Sequence, residues 1–187
     1  MNELVAYLDT IRPMSPHLSQ RIRKIFRKRE FLKGSLLLRE GEKSDPVLFV
    51  VSGLLRCYQI EQTRELSKCF LRRNELLITG IGTPADGRST GFIEALTDSK
   101  VMLCPRHELE HVYKDYPEFE HHGRVLTLRS YRQMYMVLDT IRSLPAKERY
   151  WFLQREFPHL VLSVPLKYLA SYLGINQVTL SRIRKVR

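Results

Sequence analysis

LASYLGINQVTLSRIRK, residues 169–185, lies near the end of a chain of 187 residues. Leu166, Leu169, Ala170 and Leu173 share one face of a short helix read over residues 166–173. Gly174 supplies the left-handed backbone that a tight turn needs. Asn176 suits the N-cap of a second helix that starts at Gln177. In that helix Leu180 and Ile183 are spaced to pack against the first, while Gln177, Ser181, Arg182 and Lys185 fall on another side. A small-residue turn, a buried seam and an outward basic side are the geometry of a helix-turn-helix. Arginine reads guanine bidentately and glutamine reads adenine. Thr179, Arg184, Lys185 and Arg187 are better placed for phosphates, which add affinity without base information. A helical hairpin that merely packs is the competing reading. No acid occurs from Leu166 to Arg187, and the basic face coincides with the turn, which favours DNA.

Working back from this stretch, Pro145 opens another helix, with Trp151, Phe152 and Phe157 as core candidates. Pro117 to about Arg142 reads as one long helix, apolar at Phe119, Leu126, Tyr131, Met134, Val137, Leu138 and Ile141. It is too long for a small roll to cover, which leaves two readings: pairing with its twin in a dimer, or packing on its own domain. Between Gly34 and Pro105 come short apolar runs such as VLFVVSG, LLRCYQI and SKVMLC, split by Gly, Pro, Asp and Ser. They read as the strands of an antiparallel roll or barrel. At the N-terminus Leu4, Tyr7, Leu8 and Ile11 have helical spacing, and Ser15-Pro16 caps a second helix through Leu18, Ile22 and Phe26. The exposed positions of that helix are expected to carry the basic run RIRKIFRKRE, residues 21–30, as a solvated face.

The chain is 43% hydrophobic and 27% charged, as in ordinary globular proteins. Its net charge of +11 favours a polyanionic partner, nucleic acid before a membrane surface. The N-terminus carries acids and has no unbroken apolar core, so no secretory signal is expected and the location is expected to be cytoplasmic. Cys57, Cys69 and Cys104 are odd in number and form no CxxC pair, which argues for semi-buried free thiols.

LASYLGINQVTLSRIRK resembles the helix-turn-helix of the Crp/Fnr transcription regulators at Ala170, Leu173, Gly174, Thr179, Leu180, Ser181, Arg182 and Lys185. FLKGSLLLREGEKSDPVLFVVSGLLRCY resembles the start of that family's cyclic-nucleotide-binding roll at Gly41, Glu42, Phe49, Val51, Gly53, Leu55 and Arg56. The resemblance implies an α+β fold. An antiparallel β-roll (a double-stranded β-helix) with flanking helices would occupy residues 1–116 as a sensor. A dimerisation helix would follow at 117–142, and a helix-turn-helix domain at 143–187. It implies a homodimer on double-stranded DNA with two-fold symmetry, half-sites about one helical turn apart, and RNA polymerase as a further partner. The DNA-binding residues would be Gln177, Val178, Thr179, Ser181, Arg182, Arg184 and Lys185. Cyclic-AMP-responsive members commonly carry Glu where this chain has Val178. Valine cannot accept a hydrogen bond from cytosine but can touch a thymine methyl, so a different operator is expected.

TGIGTPADGRSTGF, residues 79–92, occupies the place of that family's phosphate cassette, and Gly80, Gly82, Arg88, Ser89 and Thr90 are its candidate ligand residues. The cassette glutamate that holds a ribose hydroxyl is missing after Gly80. Setting Phe92-Ile93-Glu94-Ala95 on the strand that follows puts Ser89, not Arg88, in the arginine slot. Each charge-assisted contact is worth about 1.5–3 kcal/mol, so losing two costs orders of magnitude in affinity. Cyclic AMP is therefore not expected as ligand; no cofactor is assigned, and another small effector stays open. HELEH, residues 107–111, matches H-E-x-x-H, with His107 and His111 as zinc ligands and Glu108 as base. The longer zinc-protease pattern fails at Lys114 and Pro117, so no enzyme activity is expected. The histidine doublet His121-His122 is expected to be exposed. The main alternative function is a ligand-binding or interaction module whose basic tail meets RNA or a partner protein.

Overall fold

The computed structural model of the chain describes residues 2–43, 46–77 and 87–185. Gly80 and Gly82 lie outside the described residues, as does Arg187. Two helices come first, α1 (Asn2–Asp9) and α2 (Pro16–Ile25). Eight strands follow: β1 (Arg27–Phe31), β2 (Leu36–Leu38), β3 (Pro46–Ser52), β4 (Leu54–Glu61), β5 (Arg64–Arg72), β6 (Leu76–Leu77), β7 (Phe92–Ala95) and β8 (Ser99–Pro105). Six more helices complete the chain: α3 (Arg106–Asp115), α4 (Phe119–Ser143), α5 (Ala146–Glu156), α6 (Pro158–Ser163), α7 (Leu166–Tyr172) and α8 (Gln177–Lys185).

The strands form two four-stranded antiparallel sheets, ordered β1-β8-β3-β6 and β2-β7-β4-β5. Side chains alternate between the two faces of a strand. Leu48, Val50 and Val101 of the first sheet meet Leu55, Cys57, Leu71 and Ile93 of the second inside the roll. The outer face of the first sheet, with Val47, Phe49 and Met102, is covered by α1, α2, α3 and the start of α4. The outer face of the second, with Leu54 and Phe70, is covered by the C-terminal helices. The central strands thus bury both faces, which is why VLFVV is a continuous apolar run rather than an alternating one. Gly53, at φ +99°, turns β3 into β4. A Cβ there would lie 2.7 Å from the Ser99 backbone, so only glycine fits.

The expected N-cap at Ser15 is present, its hydroxyl accepting from the Leu18 N–H at 3.2 Å. The structure corrects four expectations. Helix α2 stops at Ile25, and Arg27–Phe31 is an edge strand paired with β8. The basic run is therefore split between a helix and a strand, whose backbone is paired with β8. Trp151 is not a core residue: it is 48% exposed with the Lys147 ammonium over its ring, and Tyr150 and Leu153 fill the seam of α5 instead. His122 is 1% exposed rather than on the surface. Its Nε2 bonds the Arg12 carbonyl at 2.9 Å, tying α4 to the segment between α1 and α2. Cys57 and Cys104 are fully buried and Cys69 half-buried, none of them in a disulfide.

Candidate nucleic-acid interface

The turn between α7 and α8 closes by backbone geometry. Gly174 has φ +62°. The Ile175 N–H donates to the Ala170 carbonyl at 2.9 Å and the Gly174 N–H to the Ser171 carbonyl at 3.2 Å, a Schellman pair that satisfies the last carbonyls of α7. The Val178 N–H donates to Asn176 Oδ1 at 2.8 Å, the expected cap of α8. Arg149 of α5 donates to the Leu144 carbonyl at 2.7 Å and to the Leu173 carbonyl at 3.1 Å, so the turn is held from beneath.

Leu169, Ala170, Leu173 and Leu180 are buried together, with Leu166, Ile175 and Ile183 packed at their edge. That seam orients α8. Gln177, Val178, Thr179, Arg182, Arg184 and Lys185 are exposed, and Ser181 is half-buried. Val178 is the exposed large apolar side chain on this surface, at 58%. α8 has no acid, and its last turn carries all three of its bases. A helix that exposes Gln, Arg and Lys on one side can lie in a major groove, with side chains reaching both base edges and phosphates.

The helix-turn-helix is fastened to the roll through β5, the edge strand of the second sheet. The Ser67 N–H donates to Ser171 Oγ at 2.9 Å, and that hydroxyl donates to the Glu65 carbonyl at 2.8 Å. Open edge groups of β5 are thereby satisfied by α7. Phe70 meets Tyr172 edge-on at 5.1 Å between centroids. Arg56 is the centre of this contact and has no exposed surface. Its Nε donates to Ser67 Oγ at 2.9 Å and its Nη1 to Glu65 at 2.7 Å, with Glu94 at 3.5 Å. Its guanidinium stacks over Tyr58 at 4.2 Å and over Tyr168 of α7 at 3.6 Å. Arg72 Nη1 meets His159 Nδ1 of α6 at 2.9 Å, and burial with the nearby Arg72 charge lowers the His159 pKa. Arg56 was visible in the sequence only as the basic end of a roll motif. Nothing local in LLRCY says that the arginine is buried under another element.

In the cassette position, Arg88 pairs across an isolated bridge with Lys43 and donates to the Gly41 carbonyl at 2.7 Å. Ser89 is buried, its hydroxyl donating to the Gly91 carbonyl at 2.8 Å. The Thr90 hydroxyl accepts from the Gln59 side chain. Ser89 thus bonds the loop's own backbone, and Arg88 bonds the backbone of the turn between β2 and β3. His107 and His111 do share a face of α3, ring centroids 6.2 Å apart, and Glu108 is paired with Arg21 at 2.6 Å. No third ligand joins them among the described residues.

Residues 28–116 match the family model of the cyclic nucleotide-binding domain. The fold is similar to that of FixK2 from Bradyrhizobium japonicum, at TM-score 0.72 and 21% identity over 86% of this chain and 83% of that one. It is similar to CLP of Xanthomonas campestris, described as a c-di-GMP-responsive global regulator, at TM-score 0.69 and 14% identity, covering 91% of this chain and 90% of that one. A protein from Eubacterium rectale described as a transcriptional regulator of the crp/fnr family aligns at TM-score 0.68 and 18% identity, covering 92% and 82%. None of the curated proteins compared with the chain matches it. Among the described residues no helix is long and apolar enough to cross a membrane.

Proposed function

We propose that the chain is a transcription regulator of the Crp/Fnr type that binds a two-fold symmetric DNA site as a homodimer. The observation that carries this reading is α8. A basic, acid-free helix is held outward by a glycine turn at the far end of a cyclic-nucleotide-binding roll. Its sensor is residues 1–116, its dimerisation helix 117–142 and its DNA-binding domain 143–187, with location in the cytoplasm and RNA polymerase as a further partner.

Gln177, Val178, Ser181 and Arg182 face the bases, and Thr179, Arg184 and Lys185 the phosphates. Supporting the dimer, α4 leaves Leu128, Tyr131, Tyr135 and Leu138 exposed at alternating three- and four-residue steps. That is the stripe of a helix that packs on a second copy. Supporting a ligand other than cyclic AMP, the Ser89 hydroxyl is buried on the Gly91 backbone and Arg88 is turned to the Gly41 carbonyl.

Selection of bound duplexes from a random pool tests the function. A palindromic consensus with half-sites about one helical turn apart is expected. No enrichment would leave the interaction-module reading in its place. Titration calorimetry with cyclic AMP should give no binding heat, and mass spectrometry of the purified protein tests for a retained effector.

A further inference from the structure

The interior of the roll holds two thiols that face each other. Cys57 of β4 and Cys69 of β5 are direct cross-strand partners. Both lie on the inner face of the sheet, among Leu55, Leu71 and Ile93, while Arg56 and Phe70 point outward to the C-terminal helices. Directly opposed residues of an antiparallel pair have Cα atoms about 4.5–5.5 Å apart. A disulfide spans roughly 4.4–6.8 Å between Cα atoms, so the spacing of directly opposed residues falls within its range; the register shifts at the next position, between Cys57 and Tyr58. Hydrogen bonding with Cys69, then burial, holds the Cys57 thiol well above the ordinary thiol range. The DNA reading uses neither cysteine.

We propose that Cys57 and Cys69 form an oxidation site for hydrogen peroxide and close to a cross-strand disulfide. The order of steps follows from exposure. Cys69 is the half-buried member, and its thiolate attacks a peroxide oxygen. The O–O bond breaks, Cys69 becomes a sulfenic acid, and the departing hydroxide takes the proton Cys69 gave up and leaves as water. The Cys57 sulfur then attacks the Cys69 sulfur, the S–O bond breaks, and the hydroxyl leaves as a second water with the Cys57 proton. Two thiols lose two electrons and two protons, and one peroxide becomes two waters. The apolar surroundings of Cys57 exclude bulkier thiols from the sulfenic acid but also hold its proton, so this second step is the slower of the two. Cys104 serves as an internal reference: burial, then the Glu108 charge, push its thiol up to about 12, and it lies on the outer face of β8, away from the pair. The site rests on strand register and stands whether or not the chain binds DNA.

The test uses the full chain. It is treated with a few equivalents of hydrogen peroxide, the remaining thiols are alkylated under denaturing conditions, and trypsin is added. Cleavage after Arg56, Arg64, Lys68 and Arg72 puts the two cysteines in separate peptides, 57–64 and 69–72. The expected product is these two peptides linked, two hydrogens lighter than their sum, with Cys104 alkylated. Prior reduction should return both as alkylated peptides. In Cys57→Ala, Cys69 should instead be trapped by dimedone. Linkage of Cys69 to Cys104 or to a second chain would overturn the proposal. So would Cys69 driven to sulfinic acid beside an alkylatable Cys57, or all three thiols intact at a dose that oxidises free cysteine. The wild-type map alone decides between these outcomes, so a poorly folding variant does not obscure them.

Discussion

Arg182 and Arg184 are both exposed on α8, two positions apart and therefore on different sides of the helix. In the proposed complex the first reads a base and the second a phosphate. Arg182→Ala is expected to cost about 1–3 kcal/mol on the selected operator and much less on random duplex, so discrimination falls. Arg184→Ala should weaken both alike and flatten the salt dependence by roughly 0.9 in log–log slope. Fluorescence titrations over a salt series separate the two; equal behaviour of the variants would refute the base assignment. Arg56 makes a different kind of contribution, because it is wholly buried between two carboxylates and two tyrosines. Replacing one member of a buried charge cluster leaves the others uncompensated, at about 3–5 kcal/mol where all are buried. Glu65 is 46% exposed and can re-solvate. Arg56→Met should therefore lose only about 2–3 kcal/mol of stability in urea melts. Adding Glu94→Gln should recover part of that loss; no change in the urea midpoint for Arg56→Met would show that the cluster contributes nothing.

The second sheet and the C-terminal helices meet over β4 and β5, and their contacts differ in chemistry. Ser171 bridges the open backbone of β5, which persists across pH. The Arg72–His159 contact does not. His159 has its pKa lowered by burial and by Arg72, so the folded chain favours the neutral ring. The unfolded chain takes up the proton first as pH falls below about 6.5. Stability from this residue is thus complete above the ordinary imidazole value and declines as pH falls from there toward the lowered one. Urea midpoints at about pH 7.5 and about pH 5.5 should differ more for the wild type than for His159→Gln. An identical pH response in the two proteins would remove His159 from the account.

Helix α4 extends beyond the roll that covers its first turns. Phe119, His122 and Leu126 are buried, whereas Met134 is 64% exposed and Leu138 48%. Large apolar side chains in such a contiguous stripe mark an interface. In the proposed dimer Met134→Glu places like charges close to the two-fold axis. Sedimentation of this variant should show a monomer, and affinity for the palindromic site should drop by orders of magnitude while binding to random duplex persists. A Met134→Glu protein that sediments as a dimer would move the interface elsewhere.

The helix-turn-helix could be recognised from sequence because everything that makes it is local. A turn glycine, a capping asparagine and a seam at helical spacing all lie within residues 166–183, and the structure keeps each of them. The roll was legible as alternating short runs and turns, since strand breaks are signalled by the residues at the breaks themselves. Three things were not local. α2 ends at Ile25 because the residues that follow pair with β8, a strand distant in sequence, and no glycine or proline marks the stop. Trp151 is outside and Tyr150 inside because the seam of α5 is set by the partners α6 and α8. Arg56, Cys57 and Cys69 acquire their surroundings only when the antiparallel pairing of β4 with β5 brings distant positions opposite one another. Helical period, caps and turn chemistry act over a few residues, whereas burial of charge and the facing of side chains depend on which surfaces meet. The chain alone thus determined its basic helix and most of its other elements, though not the strand Arg27–Phe31. The packing of sheet on helix decided which of its polar groups are buried and which are paired.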